Sequence, residues 1–294
     1  MGRILIKTTI PPTPDDWHVG RFSLLKAYLE SLEGPDGALF EVSARDREAD
    51  AAGDDPDLAG LADSDVDQLW LFAVDVTDAI TDRDAQGVQA FRRRGGGLFM
   101  ARDHQDLGKS LLKLGRIGQL NCFQTGNPEP DETRRIIDDV GTPAITWPNY
   151  NSGRNGDYQE VQAPAPDHPL LRGPSGAPIR FLPAHPHEGA VIVPAICNDH
   201  AQVILVGHST ITGRPFNIAV AAEGETDDDG TPLGRTVAES TFHHFADYNW
   251  DIDEGCPSFV SEAPGDGLRR NPQAMDDTHA YVANIARWLA DGAG

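Results

Sequence analysis

The stretch VDQLWLFAV, residues 66–74, decides the fold of this chain. Apart from Asp67 and Gln68, every residue in it is apolar. A strand that is apolar on both faces is typical of the centre of a parallel sheet that helices cover on both sides. The segments on either side of this strand are therefore expected to alternate between helix and strand.

The surrounding sequence shows that alternation over roughly the first 115 residues. Strands are predicted at 3–9, 38–43 and 96–104, and helices at 17–32, at 81–95 and from 105 onward. Thr81 is in position to cap the second helix. This pattern predicts an α/β fold with a doubly wound, mostly parallel sheet. Right-handed crossovers then bring the loops after the strands together along one rim.

The second half of the sequence is less regular. Residues 121–180 are rich in Pro, Gly, Asn and Asp, which predicts an elaborated, irregular insertion with one short helix near 131–140. Strands are expected to resume at 189–196, 201–209, 216–224 and 234–241, and a final helix is expected at 271–292. Because no linker divides the chain, residues 1–294 are predicted to form a single domain.

Composition limits the partners and the compartment. The formal net charge is −22, which disfavours nucleic acid and anionic membranes as partners. No apolar stretch reaches the roughly 18 residues of a membrane span. The cysteines, Cys122, Cys197 and Cys256, are scattered without C-x-x-C spacing, which suits a reducing compartment and predicts a cytoplasmic protein.

Three segments resemble the ThuA-like (trehalose-utilisation) family of the class I glutamine-amidotransferase-like superfamily. They are RRRGGGLFMARDH at 92–104, DHPLLRG at 167–173 and GRTVAESTFHHF at 234–245. The resemblance implies a flavodoxin-like fold with helices on both faces of the sheet, in one class I glutamine-amidotransferase-like domain. It implies little about activity, because the family's members have diverse roles.

The sequence departs from the superfamily at the position of the nucleophile. A glutamine amidotransferase needs a Cys in a G-x-C-x-G turn after a central strand. The matching stretch here is ARDHQDLG at 101–108, which has no cysteine. Cys-dependent amidotransferase chemistry is therefore disfavoured. Either Arg102 or His104 matches the histidine that relatives often carry near this turn, and we prefer His104.

Asp103 and His104, directly after the strand at 96–104, are the first candidate site residues. They are expected to act as metal ligands or as an acid–base pair on the rim. The alternative is structural: Asp103 or Asp106 caps the next helix, and His104 is an exposed rim residue.

His185, His187 and Glu188, in the stretch FLPAHPHEG, are the predicted metal ligands. The H-x-H spacing places two imidazoles on the same side of an extended strand, which suits a divalent metal, and Glu188 would act as a base or an outer partner. Pro186 between the histidines makes a rigid loop the alternative.

His243 and His244 are predicted catalytic residues, as a base or as ligands. If their segment is extended they point in opposite directions, so only one of them would face the site. Asn249 and Trp250 follow closely and would shape a polar pocket. Aromatic and amide side chains together suit a carbohydrate-like ligand.

Further substrate contacts are predicted in two loops. Trp17, His18 and Arg21 lie where a helix N-terminus would attract an anion, unless they only cap the helix and pack against it. Tyr150 lies in the loop at 146–159, which is either a lid over the substrate or an exposed cluster of turns.

These observations predict an enzyme that acts on a small polar, carbohydrate-like molecule by His/Asp acid–base or metal-assisted chemistry, as a hydrolase, isomerase or lyase. The expected cofactor is a divalent metal ion, with zinc as the first candidate. No nucleotide cofactor is expected, since the glycine motifs that cradle phosphates are missing. The alternative is a non-catalytic ligand- or partner-binding module of the same fold, and a homo-oligomer is compatible with both.

Overall fold

The computed structural model describes residues 1–76, 78–138, 142 and 144–291. Its strands are β1 (Gly2–Thr8), β2 (Glu33–Gly34), β3 (Gly37–Ala38), β4 (Phe40–Arg45), β5 (Gln68–Phe72), β6 (Gly97–Ala101), β7 (Tyr158–Glu160), β8 (Phe181–Pro183), β9 (Ala201–His208), β10 (Pro215–Ala222) and β11 (Thr236–Glu239). Its α-helices are α1 (Ser23–Glu30), α2 (Pro56–Ala59), α3 (Asp82–Arg93), α4 (Asp247–Trp250), α5 (Gly267–Arg270) and α6 (Pro272–Ala290).

Seven strands form the central sheet in the order β4-β1-β5-β6-β11-β10-β9. The first five are mutually parallel, and β10 is antiparallel to both of its neighbours. The order of the five parallel strands is the flavodoxin-like 2-1-3-4-5, in which the chain reverses direction across the sheet between β1 and β5. The predicted fold class is confirmed.

The alternation of side chains along the strands explains why helices cover both faces. On β1, Ile4 and Ile6 share one apolar cluster with residues of α1 and α6, whereas Leu5 belongs to a second cluster with residues of α2 and α3. Every residue of the central strands β5 and β6 is buried. The two clusters fix the sheet between two helical layers.

The helix α3 begins and ends where its sequence predicts. Thr81 caps it by accepting a hydrogen bond from the Asp84 amide, and Asp84 accepts one from the Thr81 amide in return, which forms a capping box. After the helix, Gly95 adopts a φ of 90°, a left-handed conformation that favours glycine. The chain can then turn directly into β6.

Three predicted elements differ from the structure. Residues 189–196 form no regular strand; Val191 makes an isolated bridge with Asn121, residues 189–192 are buried, and Ala195 and Ile196 are exposed in a 3₁₀ helix. The helix expected from 105 onward is the 3₁₀ helix Lys109–Leu114, with one glycine directly before it at position 108 and another directly after it at position 115. The helix expected near 131–140 is the short 3₁₀ helix Glu132–Arg134, and residues 139 and 140 lie outside the described residues.

Further 3₁₀ helices connect these elements, at Val19–Phe22, Leu61–Asp63, Ile117–Leu120, Pro169–Leu171, Ala195–Cys197, Phe242–Phe245 and Ile252–Glu254. Over the part of the chain that the structure describes, no helix is both long enough and apolar enough to cross a membrane.

Candidate functional site

A cavity of about 960 Å³ opens at the carboxyl ends of the parallel strands. Its lining includes side chains that follow β1, β5, β6 and β11, namely Thr9, Ile10, Val74, Asp75, Asp103, His104, Phe242 and His243. The cavity therefore lies at the point where the strand order reverses, where open α/β sheets bind their ligands. Its volume is within the range of about 300–1,000 Å³ that is usual for small-molecule sites.

Asp103 is the centre of the polar end of this cavity. Its carboxylate is buried and accepts a hydrogen bond of 2.9 Å from the Thr241 hydroxyl. The Nε2 atoms of His104, His243 and His185 lie 3.6, 3.5 and 3.9 Å from its oxygens. Burial raises the pKa of Asp103, but His104, His243 and Thr241 outweigh burial and hold that pKa at about 2. Asp103 is an anion at neutral pH.

His185 and His243 stack on each other beside this carboxylate, with ring centroids 3.5 Å apart and planes 14° apart. Asp103, His185 and His243 each offer one ligand atom, and the three atoms lie within 4.8 Å of one another. We call these three residues the Asp103 group. A carboxylate with two imidazoles is a donor set that suits zinc and other first-row divalent ions.

The hydrogen bonds behind His185 fix which of its nitrogens is free. Asn249 Nδ2 donates to the Ala184 carbonyl, which can only accept, and also to Asn155 Oδ1, with both bonds 3.0 Å long. The same Asn155 oxygen lies 2.8 Å from His185 Nδ1, which must therefore carry the proton. The unprotonated Nε2 of the neutral ring then faces Asp103, the orientation that a metal ligand requires.

The environment of His185 keeps the ring neutral. Burial, followed by the neighbouring His243 and His187 rings, places the pKa of His185 well below its ordinary value. A neutral imidazole nitrogen and a carboxylate oxygen thus face each other across 3.9 Å, and both are acceptors. A cation between them would satisfy both atoms.

His104 and His187 line the cavity next to the Asp103 group, with ring centroids 5.8 Å apart. Burial lowers the pKa of His104, so this ring is neutral at pH 7. His187 Nε2 lies 3.1 Å from Glu262, and its Nδ1 lies 3.3 Å from Asn149. The H-x-H pair is not on a strand, because β8 ends at Pro183; the His185 and His187 rings still approach to 5.7 Å, at 88°.

His244 and Glu188 belong to the core rather than to the cavity. His244 lies between two carboxylates, with Nε2 3.3 Å from Glu188 and Nδ1 3.4 Å from Glu239. Burial lowers the pKa of His244, but the two carboxylates outweigh it and raise that pKa to about 10. Tyr281 donates to Glu239 across 2.7 Å, and Ser240 donates to Glu188 across 3.2 Å. We call these residues the His244 network.

The structure places Glu188 and the two adjacent histidines differently from what the sequence predicted. Glu188, expected beside the metal, accepts hydrogen bonds from Ser152, Gln159 and Ser240 within the core. His243 and His244 are on the 3₁₀ helix Phe242–Phe245 and not on an extended segment. One of the two histidines nevertheless faces the cavity: His243 lines it, whereas His244 is in the core.

Of the residues predicted to contact substrate near the N-terminus, Trp17 lines the cavity, where its ring meets His243 at 4.6 Å. His18 caps the 3₁₀ helix Val19–Phe22 by accepting from the Gly20 amide at 3.1 Å. Arg21 donates to the Asp16 carbonyl at 2.7 Å. His18 and Arg21 therefore make capping and packing contacts at this helix, the alternative to substrate binding, and they are not part of the cavity lining.

The other predicted substrate contacts make their hydrogen bonds inside the protein. The Tyr150 hydroxyl donates to the Arg134 carbonyl at 2.9 Å, and its ring stacks on Phe216. Trp250 donates to the His244 carbonyl at 2.8 Å. Asn249 supports Asn155, as described above. Through Asn155, the Asn249 side chain helps to orient the His185 ring, and Asn249 is not part of the cavity lining.

Sequence reasoning missed Asn155 and Glu262. Asn155 lies in the loop at 146–159, which is rich in Asn and Gly, so nothing in its spacing distinguishes it from its neighbours. Glu262 is in an irregular segment between α4 and α5. Both side chains line the cavity through contacts that are distant in sequence, Asn155 with His185 and Glu262 with His187.

Gly189 allows the segment carrying His185 to reach the Asp103 group. A Cβ atom at this position would lie 2.5 Å from the Ser240 carbonyl oxygen and 2.6 Å from that of Asp103. Both distances are too short for any side chain. The segment therefore fits against the ends of β6 and β11 because residue 189 is glycine.

Comparison with known proteins gives a fold rather than an activity. No family model matches the chain, and no curated protein matches it in sequence. The solved structure of the mmIFT52 N-terminal domain matches 95% of this chain and 97% of its own length, with 11% identity and a TM-score of 0.50.

Two further solved structures match most of the chain. A ThuA-like protein from Parabacteroides merdae is 14% identical, with 99% of this chain and 90% of that chain covered and a TM-score of 0.47. The glutaminase domain of Trypanosoma brucei CTPS, with bound acivicin, is 15% identical, with 99% and 97% covered and a TM-score of 0.46.

Proposed function

We propose that this chain is an enzyme that binds one divalent metal ion at the Asp103 group, with zinc as the first candidate, and uses it on a small molecule in the cavity. The observation that carries the proposal is the pairing of an anionic Asp103 with the unprotonated Nε2 of His185, beside His243. Two imidazoles and one carboxylate leave coordination positions open for water and substrate.

The chemistry follows from the surroundings of that ion. A bound divalent ion lowers the pKa of a water molecule and polarises a carbonyl. His104 is a neutral ring at the edge of the group, with Nε2 3.6 Å from Asp103, so it can accept or deliver a proton near the ion. These roles together support a hydrolase, with a lyase or an isomerase as the neighbouring reaction classes.

Cysteine chemistry is a poor alternative at this site. The turn after β6 carries Arg102, Asp103 and His104 where an amidotransferase would carry its nucleophile. Cys122 is fully buried, and burial raises the pKa of its thiol, so that the reactive thiolate is disfavoured. The missing nucleophile is also what favours the second candidate function, a ligand-binding module of the same fold without turnover.

The test is elemental analysis of untagged protein purified without chelator, and again after reconstitution with zinc, manganese, iron or cobalt. We expect about one ion per chain, and loss of that ion in Asp103→Asn, His185→Ala and His243→Ala. His18→Ala is the matched control, because His18 is on the same rim but acts as a helix cap. Protein that takes up none of these metals, or variants that all keep theirs, would contradict the proposal.

A second measurement separates the enzyme from the binding module. The metal-loaded protein and its metal-free form are compared for hydrolysis of a panel of esters and amides. Turnover that requires the ion supports the enzyme. Tight binding of panel compounds without turnover, in either form, favours the binding module.

A further inference from the structure

The cavity lining combines a polar cluster with many apolar side chains. The polar cluster is the Asp103 group with His104, His187, Asn155 and Glu262. The apolar lining residues are Ile10, Pro11, Val74, Val76, Ala79, Leu107, Ile145, Phe242, Phe259 and Val260. A ligand that fills this cavity would meet the hydrogen-bonding groups of the polar cluster and would also bury apolar surface against these side chains.

Three of the charged side chains that line the cavity make hydrogen bonds within the protein. Asp75 accepts hydrogen bonds from the amide and the hydroxyl of Ser110, at 3.2 and 2.7 Å. Arg47 donates to the Ala79 and Gly53 carbonyls, both at 2.6 Å. Asp16 accepts from the Trp17 amide at 2.7 Å. These three groups are therefore already partly engaged before a ligand with many hydroxyls, such as a sugar, would reach them.

Two large apolar side chains remain exposed although they line the cavity. Val76 keeps 64% of its surface exposed and Phe259 keeps 59%. Burial of these two side chains against an apolar ligand in the cavity would be favourable. They extend the apolar wall outward.

The electrostatics of the lining disfavour an anionic ligand body. Asp16, Asp75, Asp78 and Glu262 line the cavity together with Asp103, and Arg47 is the basic residue among the described lining residues. The formal net charge of the whole chain is −22. An uncharged ligand with one polar head avoids electrostatic repulsion by these carboxylates.

We infer that the ligand is a neutral acyl or aryl ester or amide, whose carbonyl reaches the Asp103 group and whose hydrocarbon body lies along the apolar walls. This inference rests on the proposed function for the placement of the head. It replaces the carbohydrate-like ligand that the sequence suggested, since Asn249 and Trp250 make their hydrogen bonds in the core.

The test measures binding of unbranched alkyl hydroxamates, from acetohydroxamate to octanohydroxamate, to the zinc-loaded protein by calorimetry. We expect affinity to rise by up to about fourfold for each added CH2 that is buried. In Phe259→Ser and Val76→Ser the rise per CH2 should be smaller, while acetohydroxamate affinity stays unchanged. Ile211→Ser is the matched control, because Ile211 is 47% exposed and is not part of the cavity lining.

The outcomes separate the inference from the proposed function. Binding that needs His185 but does not strengthen with chain length overturns the inference and leaves the metal site. A sugar-derived hydroxamate that binds more tightly than octanohydroxamate overturns the inference in the same way.

If no hydroxamate binds the zinc-loaded protein, the ion does not act on a ligand in the cavity and its proposed catalytic use fails; primary amides of the same chain lengths then test the apolar body alone. Octanamide that binds more tightly than acetamide, with the gain reduced in Phe259→Ser, supports the inference. Equal binding of the two amides overturns it.

Discussion

The Asp103 group and the His244 network each contain a buried imidazole, and the two imidazoles, His185 and His244, are held in opposite charge states. Burial lowers the imidazole pKa in both regions. At His185 a single carboxylate, Asp103, lies 3.9 Å away, beside a neutral amide and other imidazoles, and the pKa falls well below its ordinary value. At His244 two carboxylates outweigh burial and raise the pKa to about 10. The number of carboxylates that face each ring decides the difference.

The comparison teaches which histidine is free to bind a metal. A ligand imidazole must be neutral, whereas a cation between two buried carboxylates must stay protonated. Glu188 and Glu239 hold His244 in the second state. Asp103 is shared among three rings, of which His185 turns an unprotonated nitrogen toward it.

His244→Leu should cause the largest change. It leaves Glu188 and Glu239 buried without their cation, and removal of one member of a buried ion pair costs about 3–5 kcal/mol of unfolding free energy. Urea unfolding at pH 7 measures the loss. His243→Ala in the metal-free protein is the comparison, and we expect it to lose much less stability.

A further variant keeps this prediction testable if His244→Leu does not fold. In His244→Leu with Glu188→Gln and Glu239→Gln, the unpaired charges are gone, so most of the lost stability should return. A loss of under about 1 kcal/mol in the single variant would mean that the network is not ionised as described.

Asn155→Ala should weaken metal binding without removing a ligand. The variant loses the acceptor that holds the Nδ1 proton of His185, and loss of such an orienting partner typically costs 10- to 100-fold in metal affinity. Competition with a zinc chelator measures the change.

Asn149→Ala is the matched control, because Asn149 faces the Nδ1 of His187 in the same manner. We expect its metal affinity to match that of the unmodified protein. An equal loss in both variants would instead bring His187 into the coordination shell.

The pH dependence of stability should show the His244 network directly. The pKa of His244 is raised from its ordinary 6.5 to about 10 on folding. Its stabilising effect is therefore complete below pH 6.5 and is lost as pH rises toward 10, with a slope of at most about 1.4 kcal/mol per pH unit. Urea unfolding of this protein and of His244→Gln between pH 6 and 9.5 gives the difference. A difference that does not shrink with rising pH would show that His244 is not protonated in the folded state.

The sequence predicts the sheet and the rim because both follow from local patterns. The apolar run of β5 and the alternation around it specify a doubly wound sheet, and strand ends in such a sheet converge. Asp103, His104 and His243 could therefore be assigned to one rim without any coordinates. The H-x-H spacing predicted that His185 and His187 lie close together, and their rings do approach to 5.7 Å, although the assumed strand is a loop.

The remaining features depend on contacts between distant parts of the chain. The two carboxylates that face His244 are at positions 188 and 239, and Glu188 reaches it from another segment, so local pattern cannot show which of the adjacent histidines is in the core. The same holds for Asn155, whose role is set by Asn249 and His185. The apolar run at 189–196 has the composition of a strand, but its buried part makes an isolated bridge at Val191 and its end is an exposed 3₁₀ helix.

The completeness of the site depends on the packing of Gly189. The side chains of the Asp103 group come from positions 103, 185 and 243, and the segment that carries the middle one packs through residue 189 against two carbonyl oxygens at the strand ends. A chain with its sheet formed but this segment undocked would have Asp103 and His243 in place and an incomplete group. Since a ligand that binds the complete state stabilises it, an ion held by all three side chains would also fasten this segment to the sheet.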